Sequence, residues 1–192
     1  VGAADTVRAG LRLVQEAGVH AVKLEGGRRR AEAIAALLDA EIPVMGHLGL
    51  TPQSMHAMGG FRVQAKESEA ALALVADAKA LAHAGCFAIV LEGVPDEVAR
   101  MVTDAVDVPT IGIGAGPRCD GQVLVYHALL GLEDRTPAKF VGRYADLKQA
   151  SVAAVGEFVA DVRGGAFPDH SESYHLDSAQ AEALSLYGAA VD

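Results

Sequence analysis

The chain has no tryptophan, two cysteines in 192 residues and only 5% aromatic side chains. Cys86 and Cys119 stand 33 residues apart with no CxxC or Cys/His ligand pattern around them. That excludes a disulfide scaffold and a structural zinc site, and a reducing, cytoplasmic setting is expected. No apolar run reaches the roughly 18 residues of a membrane span, and no signal-peptide pattern opens the chain. Basic residues are the minority: 16 Lys and Arg against 25 Asp and Glu leave a net charge of −9 at pH 7. A nucleic-acid partner, which needs clustered cations to displace counterions, is therefore not expected. The one short basic run, Arg28-Arg29-Arg30, reads as the solvated first turn of a helix. No Ser-His-Asp or Cys-His grouping can be argued from spacing.

What the chain does have is apolar residues, 51% of the total, enough for one sizeable core in a single domain. Val7, Leu11, Val14 and Ala17 recur at helical spacing and Gly18 follows as a stop. A first strand is expected over 20–25, a helix over 29–40, and a second strand over 42–46. Residues 47–54 read as a polar, glycine-containing loop, and 55–66 resist a periodic assignment. A long helix over 67–84 ends at Gly85, a third strand covers 86–91, a helix follows over 96–105, and a fourth strand covers 110–113. Val123 to Tyr126 fits either a fifth short strand or a helix. Residues 137–163 read as helical, 166–175 as an exposed loop, and those after 176 as a short helix or a fraying end. Met55, Met58 and the scattered aromatics read as core. Alternating strands and helices define an α/β chain with a parallel sheet, expected to be buried on both faces.

Four chemically active side chains fall at the C-terminal ends of predicted strands: Lys23, Glu25, His47 and Glu92. In open α/β sheets and in barrels this is the edge where ligands bind. Lys23 and Glu25, two residues apart in an extended segment, share one face, as an exposed ion pair or as half of a site. His47 alone reads as a hydrogen-bonded structural histidine or as a site residue. Glu92 follows a buried strand, where a carboxylate must be paired, bind metal or titrate abnormally. Gly112, Gly114 and Gly116 suit close backbone packing or a phosphate cradle, and the absence of GxGxxG spacing favours packing.

The strings AVKLEGG (21–27), PVMGHLGLTPQS (43–54), GGFRVQAK (59–66), VLEGVP (90–95), PTIGIGAGPRCDGQVLVYHALLGL (109–132) and PAKFVGRYADL (137–147) occur in this order. Together they resemble the ketopantoate hydroxymethyltransferase (3-methyl-2-oxobutanoate hydroxymethyltransferase) family. The resemblance implies a (β/α)8 TIM barrel, a homo-oligomer (homodecameric in the family), and no nucleic-acid or membrane partner. It implies transfer of a hydroxymethyl unit from 5,10-methylenetetrahydrofolate to 3-methyl-2-oxobutanoate, giving 2-dehydropantoate for pantothenate and coenzyme A, with Mg²⁺ as cofactor. By the same resemblance Glu92 is the proton acceptor, Lys23 and His47 bind or line the substrate site, and Glu25 belongs to the metal site.

The sequence departs from the family in two respects. Four or five βα units are legible where a closed barrel needs eight. The family's first strands and their two metal-site aspartates are expected to be missing, because Val1 already lies within a helical pattern. Residues 1–135 are then a partial barrel and 136–192 a C-terminal helical extension. Such a chain is expected to have uncovered sheet edges, a need for association and impaired turnover by itself. Ala65 stands where the family usually has glycine. Two other functions remain open: another Mg-dependent 2-oxo-acid or phosphoenolpyruvate-type barrel enzyme, which would not need the folate, and a non-catalytic truncated subunit, which would assemble without binding metal.

Overall fold

The computed structural model describes residues 2–184. They form two compact units, one running to Leu129 and including Arg135–Gly142, the other made of Leu130–Asp134 and the chain from Arg143 on. No helix among the described residues is long and apolar enough to cross a membrane.

The first unit carries the sheet. Helix α1 (Ala3–Ala17) ends at Gly18, whose φ of 67° lets its N–H turn back to the Leu13 carbonyl. Strand β1 (Val22–Glu25), helix α2 (Ala31–Asp39), strand β2 (Val44–Gly49), helix α3 (Ser68–Ala84), strand β3 (Ala88–Glu92), helix α4 (Asp96–Thr103), strand β4 (Thr110–Ile113), strand β5 (Gly121–Gln122) and helix α5 (Tyr126–Leu129) follow. All pairings are parallel and the spatial order β1-β2-β3-β4-β5 is the chain order. Right-handed crossovers in a sheet that never reverses direction put every connecting helix on the same face. That is the winding of a TIM-type barrel, with five strands among the described residues in place of eight.

Val44, Leu48, Ile89 and Leu91 point to the helix side and pack with Ile34 and Leu37 of α2, Ala78 and Leu81 of α3, and Ala99 and Val102 of α4. Burying each large side chain of this set contributes about 1.5–3 kcal/mol. Helices thus cover one face rather than both. The unbroken hydrophobicity of residues 86–91 suggested two covered faces because the inner wall of a barrel is apolar as well.

The second strand runs three residues beyond the expected Gly46. Gly46 is not a breaker there: a Cβ on it would lie 2.7 Å from Leu81 Cδ1, so the missing side chain lets α3 sit close to the sheet. That close layer is aliphatic, and the aromatics expected in the core lie outside it: Phe61, Phe87, Tyr126, Phe140, Tyr144, Phe158, Phe167 and Tyr174 are all exposed. Met55 and Met58 are half-buried on an irregular segment. Of Val123 to Tyr126, expected as strand or helix, Val123–Val125 is neither and lies between β5 and α5, while Tyr126 opens α5.

The helix expected over 137–163 begins only at Leu147, in the second unit. Helix α6 (Leu147–Gly164) starts where the Asp146 carboxylate accepts the Gln149 N–H at 3.2 Å, and it stops at Gly165. Helix α7 (Ser178–Ala183) is capped in the same way by Asp177. What was expected of the end beyond 184 lies outside the described residues.

Ala65 has φ 55°, a left-handed conformation that costs a residue with a Cβ about 1–2 kcal/mol. The replacement Ala65→Gly removes that strain and pays back part of it as unfolded-state entropy. It is expected to stabilise the chain by about 0.5–1 kcal/mol, raising the melting temperature by about 1–4 °C. A lower melting temperature in calorimetry would show that the strain is not there.

Candidate active site

Residues paired across parallel strands face the same side, so the register assembles the site directly. Glu25 pairs with His47, His47 with Val90, Gly49 with Glu92, and Glu92 with Ile113. Lys23, Glu25, Met45, His47, Val90, Glu92, Ile111 and Ile113 therefore share the face opposite the helices. All four candidate residues are brought together on that face. His47, though, sits inside β2 and not in the loop after it.

His47 is the centre of the group and is fully buried. Its Nδ1 lies 3.2 Å from Lys23 Nζ and 3.7 Å from Glu25 Oε1, and its Nε2 lies 3.1 Å from Glu92 Oε2. The Glu92 oxygen is off the line along which a ring N–H donates, so Nε2 is a buried polar atom without a hydrogen bond in this geometry. Glu25 Oε2 accepts the backbone N–H of Gln53 at 2.9 Å, which holds the carboxylate against the short 3₁₀ turn Pro52–Ser54. Lys23 is exposed because β1 is an edge strand among the described residues.

In front of this group opens a cavity of about 660 Å³. Lys23 and Glu92 line it, together with Gln122 and an apolar wall that includes Met45, Val90, Ile111, Ile113 and Val123–Val125. His47 and Glu25 are not on its surface; they lie behind the two residues that are. Gln122 is placed by donating from Nε2 to the Gly116 carbonyl at 2.9 Å. Burial pushes the Cys86 and Cys119 thiols up, which favours their protonated form, and neither lines the cavity. The glycines after β4 serve packing: a Cβ on Gly114 would fall 2.6 Å from the Phe140 ring, and one on Gly116 2.6 Å from Asp96 Oδ1.

Residue patterns gave no sign of three contributors. Gln53 acts through its backbone, which no side-chain motif records. Gln122 and the Val123–Val125 wall enter only once β4 and β5 are paired. Gly49 carries a signal in hindsight, as a glycine two residues after a site histidine in a strand. It has φ 87°, and a Cβ on it would fall 2.2 Å from the Glu92 carbonyl oxygen, which accepts the Leu50 N–H at 2.7 Å.

Magnesium takes a near-octahedral set of oxygens, commonly one or two carboxylates with water and substrate atoms. Here Glu25 offers one carboxylate, already holding the Gln53 N–H through one oxygen. Among the described residues no group of three or more His, Cys, Asp or Glu side chains is arranged to hold a metal ion. The residues present do not fit a self-sufficient magnesium site.

A carboxylate, an ammonium and an apolar wall around one cavity on a singly wound parallel sheet are the kind of arrangement with which barrel-type enzymes bind small molecules. The family profile of ketopantoate hydroxymethyltransferase matches residues 1–170. The 3-methyl-2-oxobutanoate hydroxymethyltransferase of Koribacter versatilis is 53% identical over 97% of this chain and 63% of its own length. That of Moorella thermoacetica is 55% identical over 88% of this chain and 63% of its own. The solved YdjI aldolase of Escherichia coli overlays with a TM-score of 0.41 at 16% identity, over 78% of this chain and 54% of its own, too loose a match to add anything. The chain belongs to the ketopantoate hydroxymethyltransferase family. It spans about three fifths of the length of the curated relatives it matches.

Two outcomes follow from this geometry. Gly49→Ala combines left-handed strain with a backbone clash, and denaturant titration should show a loss of about 2–4 kcal/mol; a variant as stable as the parent would mean that β2 and β3 do not approach this closely. Calorimetric titration of the chain with Mg²⁺ alone should show no saturable site below millimolar concentration, and a micromolar site would contradict the ligand count.

Proposed function

We propose that this chain carries the acid–base half of a site that transfers a hydroxymethyl unit from 5,10-methylenetetrahydrofolate to 3-methyl-2-oxobutanoate, giving 2-dehydropantoate. The observation that carries the reading is that Glu92 and Lys23 face one cavity with an aliphatic wall, in a chain of this family. The substrate is a small anion with a branched alkyl group, and the cavity matches it in kind: Lys23 for the carboxylate, Val90, Ile111 and Ile113 for the methyl groups.

In this reading Glu92 accepts the proton on C3, and the electron pair of that bond moves toward the keto oxygen as an enolate. Water hydrolyses the two C–N bonds of the folate's methylene bridge, releasing tetrahydrofolate and the carbon at the level of formaldehyde; C3 bonds to that carbon, and the alkoxide formed takes the proton that Glu92 holds. Lys23 offsets the charge that the substrate brings and that the enolate adds. His47 meets Lys23 at one ring nitrogen and has Glu92 3.1 Å from the other. Magnesium enters the proposal as an ion that Glu25 alone does not retain, so the 192-residue chain by itself is expected to turn over weakly. The proposed setting is a cytoplasmic homo-oligomer. Two free cysteines fit the first part, and the exposed stripe Val152, Val155, Val159 and Val162 along α6 fits the second.

Proton abstraction can be followed without the folate, by exchange of the C3 hydrogen of 3-methyl-2-oxobutanoate into D₂O. Glu92→Gln keeps the shape and removes the base, and exchange should slow by roughly 10²–10⁴-fold. Equal exchange rates for parent and variant would rule Glu92 out as the proton acceptor.

A further inference from the structure

We infer that Lys23 locks the neutral His47 ring as its Nε2–H tautomer, and that this N–H is the group that positions the Glu92 carboxylate. Tautomers follow from what each ring nitrogen faces. A lysine ammonium has three donors and no acceptor, so a contact of 3.2 Å from Nζ makes Nδ1 the lone-pair side of the ring. The proton of the neutral ring is then on Nε2, 3.1 Å from Glu92 Oε2. The opposite tautomer would aim an N–H at the ammonium and leave a bare lone pair beside a carboxylate oxygen, unfavourable at both ends. Glu25 does not reverse the choice, because its Oε1 is 3.7 Å from Nδ1, beyond hydrogen-bond reach.

Two further observations bear on the role. Nε2 is a fully buried polar atom with no other partner, so Glu92 is the group available to satisfy it once its carboxylate swings into line. Glu92 has the freedom to do so, its side chain being 15% exposed where His47 is at 1%. His47 is also absent from the cavity surface that Lys23 and Glu92 form. It is therefore a positioning residue, acting on the carboxylate from behind, and Lys23 acts on Glu92 through it. The tautomer stands on geometry alone; only the meaning of a positioned Glu92 rests on the proposed function.

The test is the two-bond ¹⁵N–¹H correlation spectrum of the uniformly ¹⁵N-labelled full chain near neutral pH, with the His47 signals assigned by their loss in His47→Gln. The expected pattern for His47 is Nε2-protonated in the parent chain and in Lys23→Arg, whose guanidinium is also a donor only. It should be lost or mixed in Lys23→Met. An Nδ1–H or doubly protonated His47 in the parent overturns the inference, and so does a pattern unchanged by Lys23→Met. The parent spectrum decides the tautomer even where a variant fails to fold. Because no turnover is involved, failure of the tautomer is distinct from failure of the proposed reaction, which the exchange rate of Glu92→Gln reads separately.

Discussion

The register of four parallel strand pairs is the constraint on which this molecule's chemistry depends. Because β1, β2 and β3 lie parallel and in step, Glu25 is drawn level with His47 and Gly49 level with Glu92. A slip of one residue between β2 and β3 would turn His47 into the helix layer and expose Leu48 to the cavity. The aliphatic core prevents this, since Val44, Leu48, Ile89 and Leu91 find space only between the sheet and α2, α3 and α4. The polar group is therefore held by apolar packing on the other face of the same strands.

Gly46 and Gly49 show how the two faces are joined. Gly46 gives up a side chain so that Leu81 of α3 can reach the sheet, and Gly49 gives one up so that β2 can end against the Glu92 carbonyl. Both concern only backbone separation, yet between them they fix where His47 and Glu92 stand. On the open side Gln53 repeats the pattern, a backbone N–H steadying the Glu25 carboxylate. The site is thus supported by main-chain geometry more than by side-chain partners, and Lys23, on an edge strand, is its least enclosed member.

The electrostatic arrangement is economical. One buried imidazole stands between a cation and a carboxylate, each at a different ring nitrogen, with a second carboxylate farther off. Such a group tolerates burial because opposite charges flank it, whereas a lone histidine at that depth would lack partners. Of the two carboxylates beside the ring, Glu25 already accepts the Gln53 N–H through one of its oxygens.

Much of this was legible in the residues themselves. The shared face of Lys23 and Glu25 follows from strand periodicity, the place of Glu92 at the end of a buried strand from the apolar run before it, and the family from its ordered strings. Spacing could not show that His47 belongs inside β2, because Gly46 and Gly49 read locally as breakers and only α3 and β3 explain them. It misplaced the aromatics as core, since side-chain hydrophobicity carries no information on how closely helix and sheet approach. Local sequence determined the elements and the chemical types at their ends, because period and backbone preference are short-range. The tertiary structure alone decided which of those groups touch, because register, layer spacing and the direction of a backbone N–H are set by residues far apart in the chain.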